Sequence, residues 1–419
     1  MSRQKFTIHR AWLVAAVTFL VSISAAAFRS TTSVLYLPIE DEFGWTRDLT
    51  SGAVALNIVI YGLTAPFAAM FIGRYGIKRI VLFALTLIAA GTALSTFITQ
   101  GWQLYLTWGL LVGVGTGCLA LILGTAVANT WFVKHRSLIT GVFSAANATG
   151  QLLFLPALTQ FAQTDGWRNA EWVIAAFALL VIPVVALFFK NSPLDANTTP
   201  YGGTVDDIPN KPPVTLKANF AVISQAAKTK AFWALAATFF VCGWTTNGLI
   251  GVHFIPAAHD HGMPVTMAAG LLATVGIFDF VGTILSGWLT DRFNPAVLLV
   301  IYYGLRGVAL FSVPFVLGPD IEPPLWFFVF FYGLDWIATV PPTVELCRRY
   351  FGLTNSPIVY SWVFVSHMVG AAIASAYAGF IRQFQGDYFI AWMTAAVACL
   401  LASAYCLVLL RAPKVAAAH

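Results

Sequence analysis

Gly73-Arg74-Tyr75-Gly76 closes the second long apolar segment of this chain, and a related stretch, Asp291-Arg292-Phe293, closes the eighth segment 218 residues later. The same offset relates two further pairs, each closing the first apolar segment of a half: Pro38 with Pro256, and Gly44 with Gly262. The sequence therefore predicts a chain built from two equivalent halves. Duplication of an apolar chain is typical of membrane carriers, whose halves move about a site placed between them.

Composition places the chain in a membrane. Apolar residues make up 59% and charged residues 10% of the sequence, and the mean hydropathy is +0.79, whereas soluble domains carry about 25% charged residues. The sequence contains twelve nearly uncharged runs of about 20 residues, which is long enough to cross the hydrocarbon of a bilayer. They lie near residues 11 to 37, 50 to 72, 79 to 98, 102 to 127, 137 to 162, 171 to 189, 231 to 256, 265 to 289, 295 to 317, 324 to 346, 356 to 381 and 388 to 410.

These runs should be helices, because backbone amides in lipid must pair within their own segment and the runs do not alternate like barrel strands. The fold class predicted is an all-α membrane protein with twelve transmembrane helices in two six-helix bundles. A proline-rich segment separates six runs from six. The predicted domains are an N-terminal bundle at 1–190, a cytoplasmic linker at 191–230 and a C-terminal bundle at 231–419.

The positive charges predict the orientation. Of the 23 Lys and Arg residues, 18 lie on the side shared by the N-terminus, whereas the opposite loops hold Arg47, Arg168 and Arg382 with an acidic patch. Because cytoplasmic loops retain positive charge, both termini are expected in the cytoplasm and the protein in the cell (inner) membrane. The net charge of +6 thus reports topology, and no nucleic-acid partner is expected. Lipid, protons and a small solute are the partners expected of a functional monomer.

No motif predicts catalysis. The chain has no nucleotide-binding loop, no paired carboxylates of a soluble pocket and no metal-ligand spacing among its five cysteines. We therefore expect no enzyme activity, no cofactor and no metal site.

Six plus six helices, a long middle loop and the repeated Gly-x-x-x-Asp-Arg pattern resemble the major facilitator superfamily. In that family the Asp caps a neighbouring helix and the Arg pairs across a cytoplasmic gate. Gly287, Asp291 and Arg292 match the pattern fully, whereas Gly73 occupies the Asp position before Arg74. The resemblance implies a gate in which the C-terminal copy contributes more to closure. Glu345 comes just before the boundary marked by Arg348 and Arg349, which indicates an interfacial or gate residue.

Charges inside apolar spans point to function because each one costs free energy in hydrocarbon. Four lie well inside their spans: Arg29, Asp279, Arg306 and Asp335. Arg306 must turn away from lipid toward Asp279 or Asp335. This pairing leaves two interpretations open, a buried structural pair or a substrate and proton site.

Phe28-Arg29-Ser30 resembles the Pro-Lys-Ser of the monocarboxylate transporter family, whose Lys binds the substrate carboxylate. Phe278-Asp279-Phe280-Val281 resembles that family's Asp-bearing motif, which takes part in proton coupling. The family has an Arg one turn after this Asp, where the present chain has Thr283. The resemblance implies that Arg29 binds an anion and that Asp279 carries the proton.

Further polar and aromatic residues lie at cavity depth in their spans. His253 and His367 could accept a proton or hydrogen-bond a solute, or could simply be satisfied by a neighbouring carbonyl. Tyr36, Asn247, Tyr332 and Trp336 are candidates for binding, although aromatic boxes and packing look alike in a sequence. The substrate-binding candidates are Arg29, Tyr36, Asn247, His253, Arg306, Tyr332 and Trp336; the proton-coupling candidates are Asp279, Asp335 and His367.

The function predicted is proton-coupled transport of a small organic anion, a carboxylate in the first place, by alternating access. Two alternatives remain open from the residues. One is proton-antiport efflux of amphiphilic drugs or metabolites, and the other is a receptor that binds a solute without flux.

Overall fold

The structure is a computed structural model. It describes residues 9–135, 139, 142–143, 146, 154–207 and 215–411. The first half contains nine helices in this part of the chain: α1 (Arg10–Val34), α2 (Tyr36–Phe43), α3 (Arg47–Tyr75), α4 (Ile77–Ser95), α5 (Gly101–Leu104), α6 (Gly113–Cys118), α7 (Leu121–Trp131), α8 (Leu155–Asp165) and α9 (Trp167–Phe188). Eight more follow: α10 (Leu216–Ala226), α11 (Lys230–Gly243), α12 (Gly251–Asp260), α13 (Val265–Arg292), α14 (Pro295–Val316), α15 (Pro323–Asp335), α16 (Val340–Gln385) and α17 (Phe389–Cys406).

Eleven stretches of the described chain are long and apolar enough to cross a membrane. Most coincide with one helix, but the fourth and the sixth each contain a π-helical turn, at Tyr105–Val112 and Trp244–Ile250. Helix α16 contains the second part of one span and the whole of the next, because Gly352 adopts a φ of +74° and breaks the helix there. The fifth of the twelve expected spans, 137 to 162, falls largely outside the described residues.

The helices alternate in direction, so the bundle has two ends. We call the end where α1 begins the terminal end, and the end where α1 finishes and α3 begins the far end. In the described part of the chain, short loops close the helix pairs at each end, and residues 191–207 and 215–229 lie between α9 and α11 at the terminal end.

The connecting segment contacts both halves. Tyr201 exchanges backbone hydrogen bonds with the end of α7: its N–H donates to Trp131 O at 2.8 Å, and its carbonyl accepts from Val133 and Lys134. Farther along, Asn219 of α10 accepts a hydrogen bond from Trp362 Nε1 of α16 at 2.8 Å. This segment is thus fastened to the first half by its beginning and to the second half by its end.

Helices α3 and α16 carry much of the contact between the halves. A Cβ at Gly379 would lie 2.0 Å from Ser51 Oγ, and one at Gly62 would lie 2.4 Å from Met368 Cβ. Small residues allow this approach, as at other helix contacts within membranes. The central cavity lies beside this pair of helices.

Candidate functional site

A small cavity lies between the halves, about midway along the helices. It has a volume of about 40 Å³, enough for a few water molecules but not for a larger solute. Its walls come from α1, α3, the π-helical turn before α12, α12 and α16. The lining residues are Arg29, Thr32, Val54, Asn57, Ile58, Tyr61, Asn247, Gly251, Val252 and Met368.

Arg29 supplies the positive charge of the cavity wall. Its Nη1 donates to Tyr61 Oη at 3.3 Å, and its guanidinium lies 5.5 Å from the Tyr61 ring centroid. The next turn of α1 is polar, but the hydroxyl groups of Thr31 and Thr32 donate to the helix's own carbonyls. These hydroxyls are satisfied within the helix, so Arg29 carries the distinctive chemistry of α1 at this depth.

Helix α3 turns a mixed face toward the cavity. Val54, Asn57, Ile58 and Tyr61 recur at the spacing of one helix face. The Nδ2 of Asn57 donates to Trp108 O at 2.6 Å, and because that carbonyl can only accept, the nitrogen of the amide and not its oxygen faces it. Sequence analysis missed Asn57 and Tyr61, although their helical spacing was a usable signal.

The span formed by α15 and α16 is broken at residues 336 to 339, just before Pro341 and Pro342. Side chains from other helices satisfy the backbone groups that the break exposes. Arg306 Nη2 of α14 donates to the carbonyls of Asp335 and Trp336 at the end of α15. A cation at the C-terminal end of a helix also complements the helix dipole.

Two residues of α13, Asp279 and Ser286, hydrogen-bond to other backbone groups of this break. Asp279 Oδ1 accepts the Ile337 N–H at 3.0 Å and the Thr283 hydroxyl at 3.1 Å, and Ser286 Oγ donates to Ala338 O at 2.5 Å. The approach is close because Gly282 has no side chain: a Cβ there would lie 1.9 Å from Leu334 O. Asp279 therefore lies against the broken helix rather than among the residues that line the cavity.

Arg306 and Asp335 form a buried ion pair. Arg306 Nε lies 2.6 Å from Asp335 Oδ2, and Arg306 is 1% exposed. Nη1 lies 3.2 Å from Cys242 Sγ and 3.4 Å from Thr245 Oγ1. The guanidinium is thus buried and bonded to protein atoms, which is the arrangement of a structural ion pair.

Tyr332 and Trp336 lie around the same break. The Tyr332 hydroxyl donates to Thr245 O at 2.8 Å, in the π-helical turn before α12, where the ordinary helical bonding pattern is interrupted. The Trp336 ring approaches the cavity-lining Gly251. Trp336 is therefore the member of this group nearest the cavity wall.

His367 lies on α16, stacked between aromatic rings. Its ring centroid is 4.6 Å from that of Phe239 and 5.7 Å from that of Phe364. Its Nδ1 is buried with no hydrogen-bond partner among the described residues. The structure places this histidine in helix packing, away from the cavity-lining set.

Tyr36 and His253 lie at the far end, not in the cavity wall. The rings lie 5.8 Å apart, and both side chains are buried. His253 contacts Tyr388 and Ser375. Tyr388 in turn accepts a hydrogen bond from Arg47, which is paired with Glu40. From the sequence, Arg47 and Glu40 were interpreted only as indicators of topology, because no local pattern predicts that Arg47 has a partner 341 residues away.

The predicted gate residues lie at the terminal end, each bonded within its own half. Arg74 lies over the ring of Tyr75, and Arg292 over that of Trp288. Glu345 pairs with Arg348 and Arg349 of its own helix at 2.7 and 2.8 Å. Asp291 is exposed, and Gly287 has no atoms within 4 Å of a Cβ position. Among the described residues, no contact of these gate candidates joins the halves in this conformation, and their gate role stays a prediction.

The chain is similar to known transporters along most of its length. The model of the Major Facilitator Superfamily matches residues 18–375. An uncharacterized MFS-type transporter, YcxA of Bacillus subtilis, is 25% identical over 375 residues, covering 88% of this chain and 87% of its own. Human monocarboxylate transporter 11 is 25% identical over 391 residues, covering 90% and 78%.

Solved structures share the fold. A D-xylose-proton symporter matches with a TM-score of 0.71 at 13% identity, covering 95% of this chain and 97% of that one. A bacterial homologue of the human lysosomal transporter Spinster, in an inward-facing and unoccupied conformation, matches with a TM-score of 0.71 at 16% identity, covering 98% and 100%. The predicted fold class is confirmed, and the chain is a multi-pass membrane protein of the major facilitator superfamily, a family of solute transporters and not of enzymes.

Proposed function

We propose that the protein is a proton-coupled symporter of a small organic anion, with a carboxylate as the first candidate. Arg29 would bind the anion in the central cavity, and Asp279 would carry the coupled proton. The proposal divides the chain into the mobile bundles 1–190 and 231–419, joined by the linker 191–230. In this proposal a monomer carries out transport in the cell membrane.

The observation that carries this proposal is the composition of the cavity wall. Arg29 is the charged residue among those lining it, and the other polar residues, such as Asn57, Tyr61 and Asn247, are neutral. A cavity whose described lining residues include one guanidinium and no carboxylate attracts anions, and guanidinium suits a carboxylate because it can donate two parallel hydrogen bonds. The similarity to monocarboxylate transporter 11 supports the same solute class.

Asp279 is the coupling residue that the contacts favour. Asp335 is already paired with Arg306 at 2.6 Å, whereas Asp279 contacts a neutral backbone amide and a hydroxyl. A carboxylate buried without a bonded cation is costly to keep charged, and a proton removes that cost. Because Asp279 bonds to the broken helix beside the cavity, its charge can bias the conformation of that helix.

In this proposal the terminal end faces the cytoplasm, as the positive charges predict. A reagent confined to the outside should then label a cysteine placed at Asp320 and miss one placed at Asp206. Labelling in the opposite pattern would reverse the sides. The far end, where the halves are hydrogen-bonded, would be the outer end, and the solute would enter after those bonds break.

The alternative of proton-antiport efflux uses the same fold and the same buried acids. The aromatic and apolar residues around the cavity, such as Trp336, Val252 and Met368, are the feature that favours it. An efflux pump for amphiphiles would not depend on the charge of Arg29.

The test is flux in proteoliposomes with a panel of mono- and dicarboxylates, with and without a pH gradient. Arg29→Gln should abolish anion binding and uptake, whereas Arg29→Lys, which keeps the charge, should retain part of both. Full anion affinity in Arg29→Gln would exclude Arg29 as the anion site and favour amphiphile efflux. Binding without flux in the unmodified protein would identify a receptor.

A further inference from the structure

A hydrogen-bonded network crosses between the halves at the far end. We call its five residues, Glu40, Arg47, His253, Ser375 and Tyr388, the far-end latch. Arg47 belongs to α3 of the first half, and its Nε lies 2.9 and 2.8 Å from the two carboxylate oxygens of Glu40. Its Nη1 donates to Tyr388 Oη of the second half at 2.7 Å. Arg47 is 8% exposed and Tyr388 is 1% exposed, so the crossing is shielded from water.

The network continues to His253 of α12. Tyr388 Oη lies 3.2 Å from His253 Nδ1, and His253 Nε2 lies 2.8 Å from Ser375 O. A backbone carbonyl can only accept, so Nε2 carries a hydrogen. In a neutral imidazole Nδ1 is then an acceptor, to which the Tyr388 hydroxyl donates while its oxygen accepts from Arg47. The hydrogens of the bonds that link Arg47, Tyr388, His253 and Ser375 can therefore be assigned in one way. This assignment requires a neutral His253.

A proton on His253 would disrupt this arrangement. Nδ1 would become a donor pointing at an oxygen that already accepts from the Arg47 guanidinium. Two cations would then face the same hydroxyl group in a buried site, and the Tyr388 hydrogen would lose its acceptor. Like charges in a desolvated site repel strongly. Because Arg47 lies in the other half, separating the halves at this end relieves the repulsion.

We propose that His253 is a proton-binding site that controls the far-end latch: neutral His253 holds the two halves together, and protonated His253 releases them. This site is distinct from Asp279 on α13, which lies at the broken helix and not at the contact between halves. The inference goes beyond the proposed function, since it holds whatever solute the cavity takes. If the far end is the outer end, external acid would open the transporter to the side from which protons arrive.

The other ionisable groups around His253 come from both halves. From the first half, Tyr36 stacks near it, and Arg47 and Glu40 follow through Tyr388. From the second half come Tyr388 and, beyond it, the ion pair of Asp260 with Arg382 at 2.5 Å, whose charges cancel. Glu40 is the group among these that could also respond to mild acid.

Glu40 predicts the opposite sign of response. Burial raises the pKa of Glu40, although Arg47 and Thr50 lower it. A group that binds its proton more tightly in the latched state than in water stabilises the latched state as pH falls. Acid acting through Glu40 would therefore close the far end, whereas acid acting through His253 would open it. The direction of the pH response separates the two.

The experiment measures a distance across the latch, by spin labels on Thr46→Cys and Gln385→Cys, two exposed positions in opposite halves. The full-length protein in nanodiscs is measured without solute at pH 8 and at pH 5. The five native cysteines are buried, and the protein without added cysteines gives the background labelling. We expect the ratio of separated to latched molecules to rise several-fold at pH 5.

The matched pair of variants is His253→Gln and His259→Gln. Gln at 253 is neutral at both pH values and can still donate to Ser375 O, whereas His259 is an exposed residue two helical turns along α12. Should the Gln variant fail to fold, His253→Asn takes its place. Loss of the pH response at position 253, with retention in the matched His259→Gln variant, supports the proposal. A response that persists in the His253 variant, an acid-induced closing, or no response in the unmodified pair overturns it.

Discussion

Arg29 and Arg306 are both arginines inside apolar spans, yet the fold uses them differently. Arg29, in the first half, lines a cavity that it shares with neutral polar side chains. Arg306, in the second half, is bonded to Asp335, to two backbone carbonyls, to Cys242 and to Thr245. A cation whose hydrogen bonds are consumed by its own protein holds structure together, and a cation beside a cavity can recognise a solute.

The difference follows from what each arginine faces. Helix α14 lies beside a break in its neighbouring span, where carbonyls without helical partners need donors. Arg306 supplies them. Helix α1 is continuous at Arg29, so the backbone of its own helix needs no donor there. The comparison predicts that removing Arg306 damages the fold and that removing Arg29 damages binding.

The largest effect should follow from breaking the buried pair. Arg306→Gln should lower the free energy of unfolding by about 3–5 kcal/mol, because it leaves the Asp335 carboxylate buried without its cation. Arg29→Gln, the matched change, should leave stability close to that of the unmodified protein. Denaturation in detergent, followed by tryptophan fluorescence, measures both. An Arg306→Gln protein of normal stability would remove the distinction between the two arginines.

A double substitution sharpens this test. Arg306→Met combined with Asp335→Leu removes both charges and should recover part of the stability lost in Arg306→Gln. Recovery should be incomplete, because the carbonyls of residues 335 and 336 still lack the donors that Arg306 provided. Full recovery would mean that the ion pair alone, and not the capping of the broken helix, explains Arg306.

A smaller effect on stability is expected at Asp279, where the two roles of a buried polar group can be separated. Asp279→Asn keeps an oxygen that can accept the Ile337 N–H, so its stability should change by less than about 1 kcal/mol. Asp279→Leu leaves that amide unpaired and should cost about 1–3 kcal/mol. In flux assays Asp279→Asn should still exchange solute but fail to accumulate it against a gradient. Accumulation that persists would transfer the coupling role to another acid, Asp335 first.

The smallest effect should come from a charge pair in contact with water. Glu42 accepts hydrogen bonds from Arg168 at 2.5 Å and from Trp167 at 2.7 Å, and the Glu42 and Arg168 side chains are 39% and 40% exposed. The bond from Arg168 lowers the pKa of Glu42. The stabilisation is therefore present at neutral pH and is lost as pH falls through that lowered pKa.

Glu42→Gln tests this exposed pair. It should cost no more than about 1 kcal/mol at pH 7, as is usual for exposed ion pairs, and the difference from the unmodified protein should shrink in acid. Thermal unfolding at pH 7 and at pH 4 measures it. A loss of stability as large as that of Arg306→Gln would show that solvent exposure does not decide how much an ion pair stabilises this protein.

Particular residues show how far the sequence could predict the site. Arg29 and Asn247 were proposed from their depth in a span, and the structure places both in the cavity wall. Arg306 and Asp335 were left open between a structural pair and a binding site, and their contacts favour the pair. Tyr36 and His253, proposed for substrate binding, lie in or beside the far-end latch instead, because depth in a span does not specify which helix a side chain faces.

The sequence by itself determined the membrane class, the positions of the spans and the repeat, since a bilayer imposes apolar composition on every local stretch that crosses it. Only the tertiary structure decided that the second-half break takes its hydrogen bonds from Arg306 and Asp279, and that Arg47 reaches Tyr388 across 341 residues. Such partners meet because helices distant in sequence pack side by side, and the pairing depends on their rotation and depth, which no local pattern specifies. The bilayer constrains the polarity of each residue that it contacts, whereas a binding site requires side chains from several helices to lie in contact.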